Sequence, residues 1–483
     1  MTSFDSLIPT GIYVDGKWRA TASTFWDVNP ATEEAFADVA DGTVEDMGAA
    51  IAAARRVADE GTWARTSIAD RGKCLTQLAE ALDRHKGEIS ALATTEWGVA
   101  TPTLGMQIDV ASYHATDAVE KGGEALAEEE FGNPDWGISA IGMRAPLGVV
   151  AAITPWNFPH TINLQKIAPA LIAGNTFILK PSPLSPLAAL VLAKLVDEET
   201  DIPAGVVNVV STSANEPSVM LTTDPRVDMV TFVGSAATAR HVGAAAAGTM
   251  KRTLMELGGK SAAIFLDDYD LDGITPALVN DACTLHAGQA CILHSRLLVH
   301  ENLYDEFVER FAAIVAATKV GDPSDPTTEM GPLINDAARE RVLDMVQRGV
   351  ADGARLVTGG GRPPGLDKGY FVEPTVLADV DNSSYIAQEE VFGPVTCIIK
   401  IRNDDEAVAI ANDSQYGLVG TVHSPDIDRA RTVARQIDTG VCTINGAPPF
   451  GPYGGWKQSG IGREGGIMGI RTYTELRTVT HFG

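Results

Sequence analysis

Cysteine is scarce in this chain: there are five in 483 residues (Cys74, Cys283, Cys291, Cys397 and Cys442), with no CxxC pair among them. An odd, scattered set excludes a disulfide framework and a cysteine-held zinc site, and it fits a reducing compartment. Cationic charge is scarce too, with 37 Lys and Arg against 63 Asp and Glu and a net charge of -26. Such a surface repels phosphate backbones and anionic lipid, so neither nucleic acid nor membrane is an expected partner. No apolar run reaches the roughly 18 residues that would suggest a membrane span. The stretch MTSFDSLIPTGIYVDGKW has no basic segment followed by an apolar core and a small-residue cleavage site, so it does not read as a signal peptide. A cytoplasmic protein without a bound metal is the expectation.

What is present is ordinary globular material. Apolar residues make up 45% and charged residues 21%, enough to bury a large core. At about 150 residues per domain, the length predicts roughly three domains. Asp15-Gly16, flanked by apolar residues between Tyr13 and Trp18, signals a hairpin. From about 45 to 97, Met47, Ala50, Ile51 and Ala54, then Leu75, Leu78 and Leu82, recur at helical spacing. From Leu147 onward, apolar runs at 148–154, 176–179, 206–210 and 228–233 alternate with helical stretches at 161–173, 186–198, 216–223 and 237–247. Four such alternations predict parallel strands with crossover helices, a Rossmann-like nucleotide-binding sheet. A second alternating block over 258–445, with strands near 296–299 and 395–401 and a helix over 303–318, predicts a second α/β domain.

Two segments stand apart. Gly132-Asn133-Pro134-Asp135 reads as a turn between two extended arms within 121–146, and 471–481 reads as a polar, β-branched edge strand open to pairing. Together they suggest an oligomerisation element. A strand folded back on its own domain is equally compatible with the pattern.

Gly460-Ile461-Gly462-Arg463-Glu464-Gly465 matches GxGxxG, but too little chain follows it to supply the βαβ unit and distant acidic residue that a dinucleotide site needs, so it reads as a glycine-rich turn. Gly288-Gln289-Ala290-Cys291 follows a stretch predicted to be helical over 281–287. A cysteine on such a loop can present a thiolate to a cleft, although a buried small hydrophobe is the commoner role of any one cysteine. That commoner role is kept for Cys74 and Cys283 on helices and for Cys397 and Cys442 in apolar strands. Glu256-Leu257-Gly258-Gly259-Lys260 puts a carboxylate at a strand end, fit for a general base or for a salt bridge with Lys260. Pro155-Trp156-Asn157-Phe158-Pro159 lies at the carboxyl end of the first parallel strand, where open sheets bind ligands. Its Asn157 amide can serve an oxyanion or simply hold a turn.

Eight motifs in order carry a resemblance. They are Asn29-Pro30-Ala31-Thr32, Pro155-Trp156-Asn157-Phe158-Pro159, Phe232-Val233-Gly234-Ser235, Glu256-Leu257-Gly258-Gly259-Lys260, Gly288-Gln289-Ala290-Cys291, Gly331-Pro332-Leu333-Ile334, Glu390-Val391-Phe392-Gly393-Pro394 and Gly454-Gly455-Trp456-Lys457-Gln458-Ser459-Gly460. Over nearly its whole length the chain resembles the aldehyde dehydrogenase superfamily, of the hydrolytic, NAD(P)-dependent type. The resemblance implies oxidation of an aldehyde to a carboxylic acid, with Cys291 as nucleophile, Asn157 and the Cys291 N–H as oxyanion donors, and Glu256 as the base that activates water. Lys166 matches a family lysine that assists proton relay or holds ribose; an ordinary solvated helix lysine is the alternative. Cofactor contacts are implied at Ile153, Thr154, Trp156, Lys180, Ser182, Pro183, Gly234, Ser235, Leu257, Glu390 and Phe392. Motif adjacency places Phe158, Ile162, Gln165, Leu285, Ala290, Ile292 and Tyr453 around the substrate. That wall is mostly apolar, suited to a medium-sized aliphatic or aromatic aldehyde.

Departures from the family pattern sharpen the expectations. Many NAD-preferring relatives carry Glu three residues after the lysine, but here Lys180-Pro181-Ser182-Pro183 supplies none, so NAD is only slightly favoured over NADP. Ser211-Thr212-Ser213-Ala214-Asn215 replaces a glycine-rich turn, Val233 the usual Thr, and His286 the usual Asn; His286 is expected to pack locally or line the pocket. The loop 446–452 looks shorter than usual. A CoA-acylating semialdehyde dehydrogenase is disfavoured by Glu256. A catalytically silent homologue is disfavoured by the presence of Cys291, Glu256 and Asn157. The expected domains are 1–123 with 147–257 for the cofactor, 258–458 for catalysis, and 124–146 with 459–483 for assembly into a homodimer or homotetramer.

Overall fold

The computed structural model describes residues 4–447 and 451–482. The Asp15-Gly16 signal forms the expected hairpin, with Ile12–Val14 antiparallel to Lys17–Arg19 and Val14 opposite Lys17. Both turn residues take positive φ, 55° and 69°, as a two-residue hairpin turn of this hand demands.

The hairpin forms one edge of an eight-stranded sheet with five parallel strands at its centre, in the order Val207–Val209, Thr176–Lys180, Val149–Ile153, Met229–Gly234, Arg252–Leu257. The chain runs outward from the middle strand through helices Pro159–Ile172 and Leu187–Glu199. It then returns through Glu216–Thr223 to build the other half. This reversal makes a switch point between Val149–Ile153 and Met229–Gly234, the place where doubly wound sheets open a crevice at their carboxyl ends. The strands are apolar on both faces because both are covered. Val150 and Ala152 pack with Leu75, Leu164 and Leu190 on one side, whereas Val149 and Ala151 pack with Met47, Ile51 and Val242 on the other. The helical expectation for 45–97 is met by Val44–Glu60, Ile68–Arg84 and Lys86–Trp97, the first opened by a Thr43–Asp46 capping box.

The second α/β unit is a seven-stranded sheet whose strands run Arg355–Thr358, Thr375–Ala378, Val395–Ile401, Arg296–His300, Ala262–Phe265, Val419–His423, Val441–Ile444, all parallel except the first pairing. Cys397 and Cys442 lie on its strands, and Cys74 lies on a helix of the first unit. In a separate three-stranded sheet, Ile138–Pro146 pairs with Glu129–Asn133 on one side and with Thr474–Phe482 on the other.

Three local expectations are corrected. The stretch 281–287 is not regular helix: a π-helical turn, Asn280–Thr284, gives way to a tight turn, Leu285–Gly288, in which His286 and Ala287 have φ of 48° and 52°. The break brings Gly288, at φ 73°, against the Gly393 backbone, where an added Cβ would come within 2.1 Å. The terminal strand begins at Thr474 rather than 471, because Gly466–Thr472 forms a helix. The GxGxxG segment turns as expected, yet Gly460–Ile461 also joins the first sheet beside Met255 and Glu256. Part of the loop 446–452, residues 448–450, lies outside the described residues. Among the described residues no helix is long and apolar enough to cross a membrane, and no cluster of three or more His, Cys, Asp and Glu is placed to hold a metal ion.

Candidate active site

The middle strand of the first sheet ends at Ile153, and Thr154 through Phe158 lead into a helix that starts on Pro159, a residue pre-set for a first helical position. That turn holds Asn157, buried, whose Nδ2 donates to the Gln289 carbonyl at 2.9 Å. Gln289 is itself pinned: its Nε2 donates to the carbonyls of His286 (3.0 Å) and Pro332 (3.4 Å), and its Oε1 accepts from the Ile334 N–H at 2.9 Å. Asn157 and Gln289 therefore lock the loop of the second unit onto the strand end of the first. Cys291, two residues past Gln289, is partly exposed, unlike the buried Cys74, Cys283 and Cys397.

Two cavities meet at Cys291. One, of about 310 Å³, is lined by Trp156, Asn157, Gly234, Ser235, Leu257, Glu390 and Phe392 from the expected residues, and also by Arg341. The other, of about 340 Å³, is lined by Phe158, Ile162, Gln165, Leu285, Ile292 and Tyr453. Cys291, Glu256 and Val233 line both. Ala290 is buried beside them without lining either cavity. Ile153 and Lys180 are register partners at adjacent strand ends, joined by the Thr154 N–H to the Lys180 carbonyl at 3.1 Å. Ser182 lies in the next turn, its Oγ accepting from the Leu184 N–H at 3.2 Å, with Pro183 between them.

Burial dominates the electrostatics. Enclosure, helped by Glu390 and Glu256, pushes the Cys291 thiol up to about 12, while a hydrogen bond with Tyr453 opposes the rise. Glu256 is pushed up to about 8 by burial and then by Glu464, against Lys166 and Arg463. Neither of its oxygens has a hydrogen-bond partner, and Lys260 Nζ is equally unpartnered, so the salt-bridge reading of Glu256 with Lys260 fails. Lys166 is fully buried and ion-paired with Glu464, which excludes a solvated helix lysine. Glu390 is pushed to about 7 by burial, and its Oε1 accepts from the Gly259 N–H at 2.9 Å. A Cβ on Gly258 would stand 2.1 Å from Glu390 Oε2, so that approach needs the glycine.

The aldehyde dehydrogenase family model matches residues 18–479. This chain belongs to the aldehyde dehydrogenase family. It is 40% identical over 474 residues to a 3-succinoylsemialdehyde-pyridine dehydrogenase from a Pseudomonas species, covering 97% of each chain. It is also 40% identical over 481 residues to the geranial dehydrogenase of Castellaniella defragrans, covering 98% of each. A crystal structure of betaine aldehyde dehydrogenase from Staphylococcus aureus in complex with NAD+ superposes with a TM-score of 0.94 at 34% identity, over 98% of this chain and 95% of that one. The protein is thus an oxidoreductase that oxidises an aldehyde with a nicotinamide dinucleotide.

The residues of this aldehyde dehydrogenase fit that cofactor. The crevice at the switch point is open, the buried Thr154 Oγ1 has no partner, and Lys180 forms no ion pair among the described residues. Burial holds Lys180 down to about 8, a site where an incoming phosphate or ribose oxygen restores the lost solvation. His286 is packing: it lies edge-on to Trp97, Trp156 and Phe158, and burial holds it neutral with a value near 3.

Sequence reasoning missed the helix Thr101–Ala125, which contributes Gln107, Val110, His114, Asp117 and Lys121 to the larger cavity. Their spacing of three, four, three and four residues is one helix stripe, and polar side chains along it were the available signal. It also missed Glu464, hidden inside the GxGxxG segment, and Arg341.

Proposed function

We propose that Cys291 is the nucleophile and Glu256 the hydrolytic base of this aldehyde dehydrogenase, acting on an uncharged, mainly apolar aldehyde. The observation that carries the reading is that these two side chains lie where the two cavities meet. The smaller cavity would hold the nicotinamide end of the dinucleotide, with Glu390 and Phe392 as its candidate contacts there and Lys180, Ser182 and Pro183 as those for the adenosine end. The larger takes the aldehyde.

The Cys291 proton passes to Glu256 as Sγ bonds the carbonyl carbon, giving a thiohemiacetal. One Asn157 N–H is committed to Gln289, leaving the second, with the Cys291 backbone N–H, for the new oxyanion. Losing one such donor typically costs about 2.7–4 kcal/mol of transition-state stabilisation. A bound dinucleotide would supply the hydride acceptor that turns the thiohemiacetal into a thioester on Cys291. Glu256, deprotonated again, takes a proton from water as the hydroxyl bonds the acyl carbon. The C–S bond then breaks with its electron pair on Sγ, which takes the proton back from Glu256 as the carboxylic acid leaves. The buried Lys166–Glu464 pair beside Glu256 gives the proton a route away.

The cofactor is NAD or NADP, with NAD slightly favoured, since Pro183 offers no carboxylate to repel a 2′-phosphate. The cofactor unit comprises 1–123 and 147–257, the catalytic unit 258–458, and the assembly element 124–146 with 459–483, a division supported by the separate eight-, seven- and three-stranded sheets, although Gly460–Ile461 reaches back into the first of them. The working location is the cytoplasm. A panel of aliphatic and aromatic aldehydes assayed with both NAD+ and NADP+ tests the reading: reduction with at least one aldehyde, abolished by Cys291→Ala, is expected. Retained turnover in that variant overturns it.

A further inference from the structure

Resting on that reading, we propose that the Gln107 carboxamide recognises an uncharged hydrogen-bonding group at the far end of the substrate, so that the preferred aldehydes have an apolar body ending in an amide, hydroxyl or carbonyl. Gln107 lines the substrate cavity and is only 6% exposed, yet neither its Nε2 nor its Oε1 has a hydrogen-bond partner. Buried polar side chains are almost always paired, because leaving one unpaired forfeits its solvation. Its main chain is fixed, with the Thr161 hydroxyl donating to the Gln107 carbonyl at 3.0 Å. That bond ties the Gln107 helix to the helix that follows Phe158 and bears Ile162 and Gln165. The main chain at Gln107 is therefore fixed, and the buried carboxamide beside the cavity keeps an unmatched donor group and an unmatched acceptor.

The surroundings select against charge. Val110, Phe158, Ile162, Leu285 and Ile292 make the walls apolar. Apart from the catalytic Glu256, the cavity's charged groups are already matched, Lys121 with Asp117 and Glu464 with Lys166. Asp117 also accepts from the Gly466 N–H at 3.1 Å. Among the described lining residues no cation is left to meet a distal carboxylate. A neutral group that both donates and accepts is the complement of a carboxamide.

The test compares hexanal, its omega-carboxamide and its omega-carboxylate as substrates of the full-length enzyme and of Gln107→Leu. The parent is expected to favour the carboxamide over hexanal in kcat/KM by about tenfold or more, as expected when a buried polar group is paired rather than orphaned. Gln107→Leu is expected to erase that preference, with hexanal gaining and the carboxamide losing. Equal losses for all three substrates, an unchanged ratio, or a preference for the carboxylate overturns the proposal. Calorimetric binding of adipic acid monoamide to both proteins reads the same contact without turnover. Absence of oxidation therefore counts against the proposed reaction, and equal binding counts against Gln107.

Discussion

Burial sets the catalytic pH at the level of single residues. Glu256 has no hydrogen-bonded partner to stabilise its charge and feels Glu464 nearby, so its carboxyl is raised to about 8. A base must be deprotonated to act, so the sign is fixed: below about pH 8 the acid form accumulates and hydrolysis of the thioester slows about tenfold per pH unit. Steady-state kcat should rise with pH up to that region, and Glu256→Gln should give a burst of reduced cofactor followed by little turnover. Steady turnover in that variant as fast as in the parent removes Glu256 from the base role. The candidate residues stood out through the order of the eight motifs rather than through residue type, since a lone thiol reads as packing and a lone strand-end carboxylate as a salt bridge. Gln107 was not legible, because a glutamine on a helix shows its lack of partners only when the opposite wall of the cavity is known.

Secondary elements were legible where one period dominated. Fully buried strands such as Thr176–Lys180 read as apolar runs, and helix Glu216–Thr223 falls on its expected bounds. The break at 280–288 was not, since His286 and Ala287 are neither glycine nor asparagine and hold positive φ only because Gln289 and the packed rings impose it. The glycine that ends the break admits a direct test. In Gly288→Ala the new Cβ would meet the Gly393 backbone at 2.1 Å and sit at φ 73°, two penalties with no flexible side chain to yield. The variant should lose about 2–4 kcal/mol of stability. Its thermal unfolding midpoint should fall by a few degrees, with kcat falling further because Cys291 hangs from the same loop. A midpoint and rate equal to the parent's would show that the loop relaxes freely.

At the scale of the whole molecule, the sheet Glu129–Asn133, Ile138–Pro146, Thr474–Phe482 is the part whose use one chain leaves open. Its strands were visible in advance as a turn between arms and a β-branched tail, but pattern alone could not choose between folding back and pairing outward. Residues 474–482 do fold back, nine in register against 138–146, yet all but Thr474 remain exposed. Leu476, Val479 and Phe482 stay exposed with Phe131, Trp136 and Met143. A long, exposed edge strand that carries apolar side chains is an aggregation hazard unless covered, and a second copy covers it most economically through a two-fold contact. The mass by light scattering should then be a dimer or tetramer of the 50.9 kDa chain. Leu476→Lys with Phe482→Lys, two same-face changes that leave the backbone pairing to 138–146 intact, should shift it toward the single-chain mass at low concentration. A parent that runs as a single chain, or a double variant whose mass stays at the parent's multiple, would place the interface elsewhere.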